Sequence, residues 1–408
     1  MKLRLLLLFL CLVLMACGGS GSEENSGPDF DKNRSVDATD IDDGDDRVAD
    51  EFDALSLDAG TTADLNGDGT GDDTGAYDDN EGALDETDTP TQRVPNLDVG
   101  IPPITDSLYD GDRALLYLTH KESFSFSIIE AQTGTLIQSI SFDHMPEHMA
   151  MSPDGARLYV ALLVQDHSSY WWEEDQSGYI AVIDLERQVY VDTFQIATDP
   201  YDLVVTRGGK LIVSSGSGQW TDIYAYDAQT GDALGRADIY QRSRLTLHPS
   251  ENWVFAADTG LVPSDIQRFD ISGAGIVAGI DSPYKGDHRM AGNIWATPDG
   301  NYLITRGGDV FSAPEMTFVA SLTCSDVCIE DLFFDETEAI AFIVDSNGLV
   351  HYFNLTSLEM IDTVNEFDHA DRVIVSGQNL IAISPRQGAA GYQLVQTAHP
   401  CPACGENT

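Results

Sequence analysis

From about Ile104 to near the C-terminus the chain repeats a pattern with a period of about 40 residues, and such a period restricts the fold more than any local motif does. Each copy holds four short β-rich runs separated by turns. The clearest copy has Tyr179-Ile180-Ala181-Val182-Ile183-Asp184, then Val189 to Ile196, then Pro200-Tyr201-Asp202-Leu203-Val204-Val205, then Lys210-Leu211-Ile212-Val213-Ser214. An earlier copy has Phe126 to Glu130, Leu136 to Phe142, Met149-Ala150-Met151 and Arg157-Leu158-Tyr159-Val160-Ala161. Later copies begin near Ile223, Ile266, Val310 and Val350. Ser152-Pro153-Asp154-Gly155 and Thr297-Pro298-Asp299-Gly300 fall between third and fourth runs, where Pro presets the turn and Gly accepts positive φ. Four-stranded units of this length predict an all-β, seven-bladed β-propeller over residues 96–400, with six or eight blades as the neighbouring counts. Gly391-Tyr392-Gln393-Leu394-Val395 supplies a first strand at the C-terminus. Ile104 to Leu118 supplies a third and fourth at the N-terminus, so that both ends share the last blade and no edge stays open.

The residues from Gly178 to Ser215 resemble the YVTN-type repeat of bacterial surface and periplasmic propellers and, more distantly, the tryptophan-aspartate (WD) repeat. Propellers of that kind often present one loop face to proteins, glycans or envelope components, so the resemblance implies a non-catalytic binding or scaffold module. Fold analogy alone does not fix function.

At the N-terminus, Met1-Lys2-Leu3-Arg4 is a short basic start, and Leu5 to Val13 is an apolar run too short for a permanent span. Leu14-Met15-Ala16-Cys17 resembles the lipobox of bacterial lipoproteins. That implies a signal peptide over residues 1–16 and acylation of Cys17, so that lipid is the membrane attachment. Gly18 in place of Asp implies the outer membrane, on its periplasmic or surface side. Residues 17–95 read as a disordered acidic linker: 24 acidic and 4 basic side chains lie between Gly18 and Arg93, too polar a stretch to bury a core. Like charges make it a self-repelling spacer. Asp64, Asn66 and Asp68 match the first half of a calcium loop, whereas position twelve is Gly75 where a bidentate Glu belongs. Both a degenerate Ca²⁺ site and a plain solvated linker fit. The formal net charge of −47 excludes a nucleic-acid partner, since a polyanion would meet repulsion instead of counterion release.

Aligning the copies places His148, Asp202, Arg244, Asn293, Asp331 and Arg372 just before successive third runs, which predicts a polar ring at the mouth of a central channel. The longest loop on that face, about Gln165 to Ser177, carries Tyr170, Trp171 and Trp172. Trp220 in the next loop extends an aromatic contact patch. Histidines gather on the same face: His144 beside Asp143, His369 beside Asp368, then His148 and His288, with His120 and His167 in neighbouring loops. Imidazoles with nearby carboxylates are what a transition metal would choose. Cys324, Cys328, Cys401 and Cys404 are disulfide candidates for an exported chain, the last two in a C-terminal tail of residues 401–408, and four cysteines allow three pairings or a zinc site. No Gly-x-Ser-x-Gly elbow, phosphate loop or HExxH helix occurs. The expectation is a binding or scaffold module for a protein, glycan or envelope component, with no certain cofactor. The alternative is a metal-dependent hydrolase, lactonase or oxidoreductase using His and Asp at the channel mouth.

Overall fold

The computed structural model describes residues 97–168, 176–259, 262–322, 328–335 and 339–400. All of them belong to one compact unit. The expected signal peptide, Cys17, the acidic linker with Asp64, Asn66 and Asp68, the aromatic triplet Tyr170 to Trp172, and Cys324, Cys401 and Cys404 lie outside the described residues.

Runs that are apolar without interruption become the second strand of each blade, as in Leu115–His120, Arg157–Leu163, Lys210–Ser215 and Ile340–Asp345. Continuous hydrophobicity is what a strand covered on both faces requires. Every residue of Leu115–His120 and of Ile340–Asp345 is buried. More polar runs become the fourth strands: Leu136–Ser141, Val189–Ile196, Ala233–Tyr240, Val277–Asp281, Phe318–Ser321 and Met360–Val364 have at least half their residues exposed.

The result is seven four-stranded antiparallel sheets. Their first strands are Asp106–Asp110, Met145–Met151, Pro200–Val205, Arg244–Leu247, Ile294–Ala296, Ile329–Asp335 and Arg372–Ser376, in blades 1 to 7. First strands of successive blades run beside one another, so they line the axis, and the fourth strands form the rim. Seven blades are therefore present, but their phase differs from the sequence expectation. The third and fourth runs of each copy are the first and second strands of the next blade. Accordingly Asp106–Asp110 and Leu115–His120 open blade 1, and Tyr392–Ala398 is the third strand of blade 7. The fourth strand of blade 7 is Leu97–Ile101, with Leu97 opposite Leu394 and Ile101 opposite Tyr392. Both chain ends thus close one blade, by a different strand from the one expected.

The core is divided among seven clusters, each straddling two blades. Tyr117 and Phe126 of blade 1 meet Leu158 and Val160 of blade 2. The same arrangement recurs around the ring until Ile101, Ile381 and Ile383 of blade 7 meet Leu116 and Leu118 of blade 1. Each such side chain contributes about 1.5–3 kcal/mol by leaving water.

The Pro-Asp-Gly turns join first to second strands. Ser152 Oγ donates to Asp154 Oδ1 at 2.6 Å, the Gly155 amide donates to the Ser152 carbonyl at 2.8 Å, and Gly155 takes φ +66°. Thr297, Asp299 and Gly300 repeat the geometry, with Thr297 Oγ1 to Asp299 Oδ1 at 2.6 Å and φ +73° at Gly300. A Cβ on Gly155 would lie 3.2 Å from the flexible end of Arg113, but one on Gly300 would lie 2.8 Å from the packed ring of His248. In urea unfolding, Gly155→Ala should cost about 1–2 kcal/mol from the left-handed backbone alone, and Gly300→Ala distinctly more. Equal costs would contradict this geometry.

Candidate functional site: the channel-mouth ring and its loop face

Strand pairing brings the aligned polar positions to one end of the first strands. His148, Asp202, Arg244, Asp331 and Arg372 sit on those strands and Asn293 directly precedes one. The seventh member is Asp106, which sequence reasoning misses because only the six complete copies are aligned and its run lies ahead of them. Alignment of Asp106-Ser107-Leu108 as a first strand would have found it.

In three places a carboxylate of one blade accepts the backbone amide of the next. Asp106 Oδ2 accepts from Met149 at 3.0 Å, Asp202 Oδ2 from Leu245 at 2.9 Å, and Asp331 Oδ2 from Val373 at 2.9 Å. The basic members fill the spaces between. His148 Nδ1 stands 3.5 Å from Asp106 Oδ2, and its Nε2 hydrogen-bonds with Arg244 Nη1. The Arg244 guanidinium lies 4.8 Å over the Tyr201 ring. Arg372 donates to the Thr105 carbonyl at 3.3 Å, and its charge acts on both Asp106 and Asp331. Burial alone would raise the Asp106 pKa, but its contact with His148 and the charges of Arg372 and Arg244 hold it below the ordinary value. Burial prevails at Asp331, whose pKa is raised despite Arg372, with the Asp106 charge adding to the rise.

Beneath the loops lies a second network that no sequence motif announced. His167 Nδ1 is 2.6 Å from Asp199 Oδ2 and its Nε2 is 2.9 Å from Glu147 Oε2. Carboxylates accept, so both ring nitrogens donate and the imidazole is a cation. Lys121 Nζ donates to Glu147 Oε1 at 2.8 Å, and Ser217 Oγ to Asp199 Oδ2 at 2.6 Å. Lys121 comes from blade 1, Glu147 and His167 from blade 2, and Asp199 and Ser217 from blade 3, so three blades are tied together. Gly216 makes room: a Cβ there would fall 2.0 Å from His167 Nδ1. Burial disfavours charge on both central groups, yet their bonds overcome it. The His167 pKa is raised, and that of Glu147 is drawn down to about 2 by His167 and Lys121.

The histidines expected to share a metal do not converge. His144 stacks on Tyr179 at 4.6 Å. His288 stacks on Phe318 at 4.3 Å, edge-on to Tyr284, with Nδ1 3.6 Å from Asp309 Oδ2. His369 donates to the Asn347 carbonyl at 3.1 Å and faces Asp371 at 3.3 Å. His120 is held by the Pro103 carbonyl and Ser127. Asp143 and Asp368 are exposed. Among the described residues no group of three or more His, Cys, Asp or Glu side chains is placed to hold a metal ion. The reason is geometric: His144, His288 and His369 stand on links between blades 1 and 2, 4 and 5, and 6 and 7, spread around the ring. Trp220 is 61% exposed and packs on Tyr240. Cys328 is half-buried.

No protein-family model matches the chain, and no curated protein matches it significantly.

The His167 network has a pH signature. A raised histidine pKa adds stability that is complete below the unfolded value of 6.5 and fades as pH climbs through the folded value. The depressed Glu147 adds stability present above 4.5 and lost on acidification toward 2. The melting-temperature gap between wild type and His167→Asn should therefore be widest between those two unfolded values and shrink on the alkaline side. A gap that stays constant from about pH 5 to pH 9 would show that the network does not titrate in this way.

Proposed function

We propose that this chain is a lipid-anchored, extracytoplasmic binding or scaffold module that presents the loop face of its propeller to a protein, glycan or envelope component. One observation carries the reading. The ionisable groups brought together on this face are engaged with one another or with the backbone: Asp106 with Met149 and His148, His148 with Arg244, Asp331 with Val373, His167 with two carboxylates. Both ring nitrogens of His148 and of His167 are engaged, so neither imidazole keeps the available lone pair that a general base or metal ligand needs. These groups instead fix a rigid array of charge, the form suited to recognition by complementarity. The resemblance to YVTN-type surface propellers supports the same role. The lipobox-like Leu14-Met15-Ala16-Cys17 supports anchoring through acylated Cys17, and the acidic stretch after it would hold the head away from an anionic surface.

A single observation favours the alternative, an enzyme working at the channel mouth. Asp106 and Asp331 have pKa values displaced in opposite directions, as acid and base partners do. Each, however, holds the amide of the next blade, a duty that accounts for its place in the ring. Stoichiometric transition metal in the purified chain would favour the enzyme.

The test separates anchor from head. Wild type should incorporate labelled fatty acid and enter the detergent phase, whereas Cys17→Ser should do neither. The unlipidated Cys17→Ser chain should still bind washed envelopes from its own cells saturably. Absence of saturable binding would overturn the proposal.

A further inference from the structure

The outer hairpin of blade 3 differs from its counterparts in what it displays. Its strands, Trp220–Asp227 and Ala233–Tyr240, pair with Trp220 opposite Tyr240, Asp222 opposite Asp238 and Tyr224 opposite Arg236. Because side chains alternate along a strand, these six share one face. Beside that face opens a cleft of about 600 Å³, which Ala197 and Thr198, from the link with blade 2, help to line. Its volume falls within the range of small-molecule sites, about 300–1,000 Å³.

Two features of this face work against stability. Trp220 is 61% exposed, supported by Tyr240 with ring centroids 4.6 Å apart. Asp222 and Asp238 stand directly across from each other, a like-charge pair that strand pairing disfavours. Arg236 relieves only one of them: its Nη1 donates to Asp222 Oδ2 at 2.7 Å, where Tyr224 Oη also donates at 3.2 Å. Asp238 is exposed on the same face. Local rules broken together, around a cleft, are the mark of a site shaped for something other than folding.

We infer that this cleft binds a neutral carbohydrate. A sugar ring offers a flat C–H face to an exposed indole, and neighbouring hydroxyls that both donate and accept. Asp222 and Asp238 supply acceptors, Arg236 supplies donors, and Trp220, backed by Tyr240, supplies the platform. Two carboxylates and one guanidinium leave the array net negative, which disfavours acidic sugars. The guanidinium within the lining disfavours a cationic ligand. The inference rests on the binding-module reading and narrows it to one site and one ligand class.

Trp220 is its own reporter. The full chain is titrated with cello-, malto-, xylo-, manno- and N-acetylglucosamine oligomers while tryptophan fluorescence is followed, with calorimetry as the second readout and tetramethylammonium as the cationic probe. At least one series should give a saturable change with a dissociation constant of about 1 mM or tighter. Trp220→Ala and Asp238→Asn, both exposed and so compatible with the fold, should each weaken binding by about tenfold or more in calorimetry, as loss of an anchor does. Val277→Ala, on the rim of blade 4, should leave it unchanged. No saturable response to any series overturns the inference. So does binding that survives both cleft variants, or saturable binding of tetramethylammonium in place of sugars. Envelope binding that persists without any oligosaccharide binding sinks the carbohydrate inference alone. Oligosaccharide binding without envelope binding sinks the envelope-module reading alone.

Discussion

Apolar strands that cannot be covered within their own sheet dictate this molecule. In each blade the second strand is hydrophobic on both faces, and only the neighbouring blades can cover it. Every core cluster among the described residues therefore lies between two blades instead of inside one. Such a row of sheets has two uncovered ends unless it closes, and closure here depends on Leu97–Ile101 pairing with Tyr392–Ala398. Ile101 then packs with Leu116 and Leu118 of blade 1, so the strand that completes blade 7 also seals the last interface.

Closure explains why one face gathers chemistry that is remote in sequence. Seven first strands delivered to one axis bring Asp106 of blade 1, Arg372 of blade 7 and Asp331 of blade 6 within electrostatic reach. His148 and Arg244 meet although blade 3 lies between their own blades, and Tyr201 of that blade stays in contact with both. The backbone positions are near-equivalent while the residues on them are not. A repetitive scaffold thus acquires a directional pattern of charge, and blade 3 contributes both to the His167 network, through Asp199 and Ser217, and to the Trp220 face.

Much of this was legible in the sequence. Strand positions and blade number followed from the apolar runs and from turns such as Ser152-Pro153-Asp154-Gly155, whose hydrogen bonds are local and whose residues are dictated by φ. The phase of the blades was not legible, for a physical reason. Four runs repeated in a cycle have no intrinsic first member, and only the pairing of distant strands decides where one sheet ends. Leu97-Asp98-Val99-Gly100-Ile101 carried no repeat signal, because its counterparts are rim strands of irregular sequence. His148, Asp202 and Arg372 were found by alignment, since position in a strand repeats from copy to copy. The His167 network was missed because its members repeat nowhere: Lys121, Glu147, His167 and Asp199 meet only where three particular blades do. Likewise, the face shared by Trp220, Asp222 and Arg236 depends on cross-strand register, which spacing alone does not reveal.

Closure is tested most directly by native-state hydrogen exchange on the chain with residues 97–101 replaced by a Gly-Ser segment of equal length, compared with the unaltered chain. The account predicts that protection falls in Tyr392–Ala398 and Leu115–His120, the two sides of the unsealed interface, and that the loss spreads cooperatively around the ring. Protection lost from Tyr392–Ala398 alone, with every other blade unchanged, would show that the blades hold themselves together individually and would contradict it.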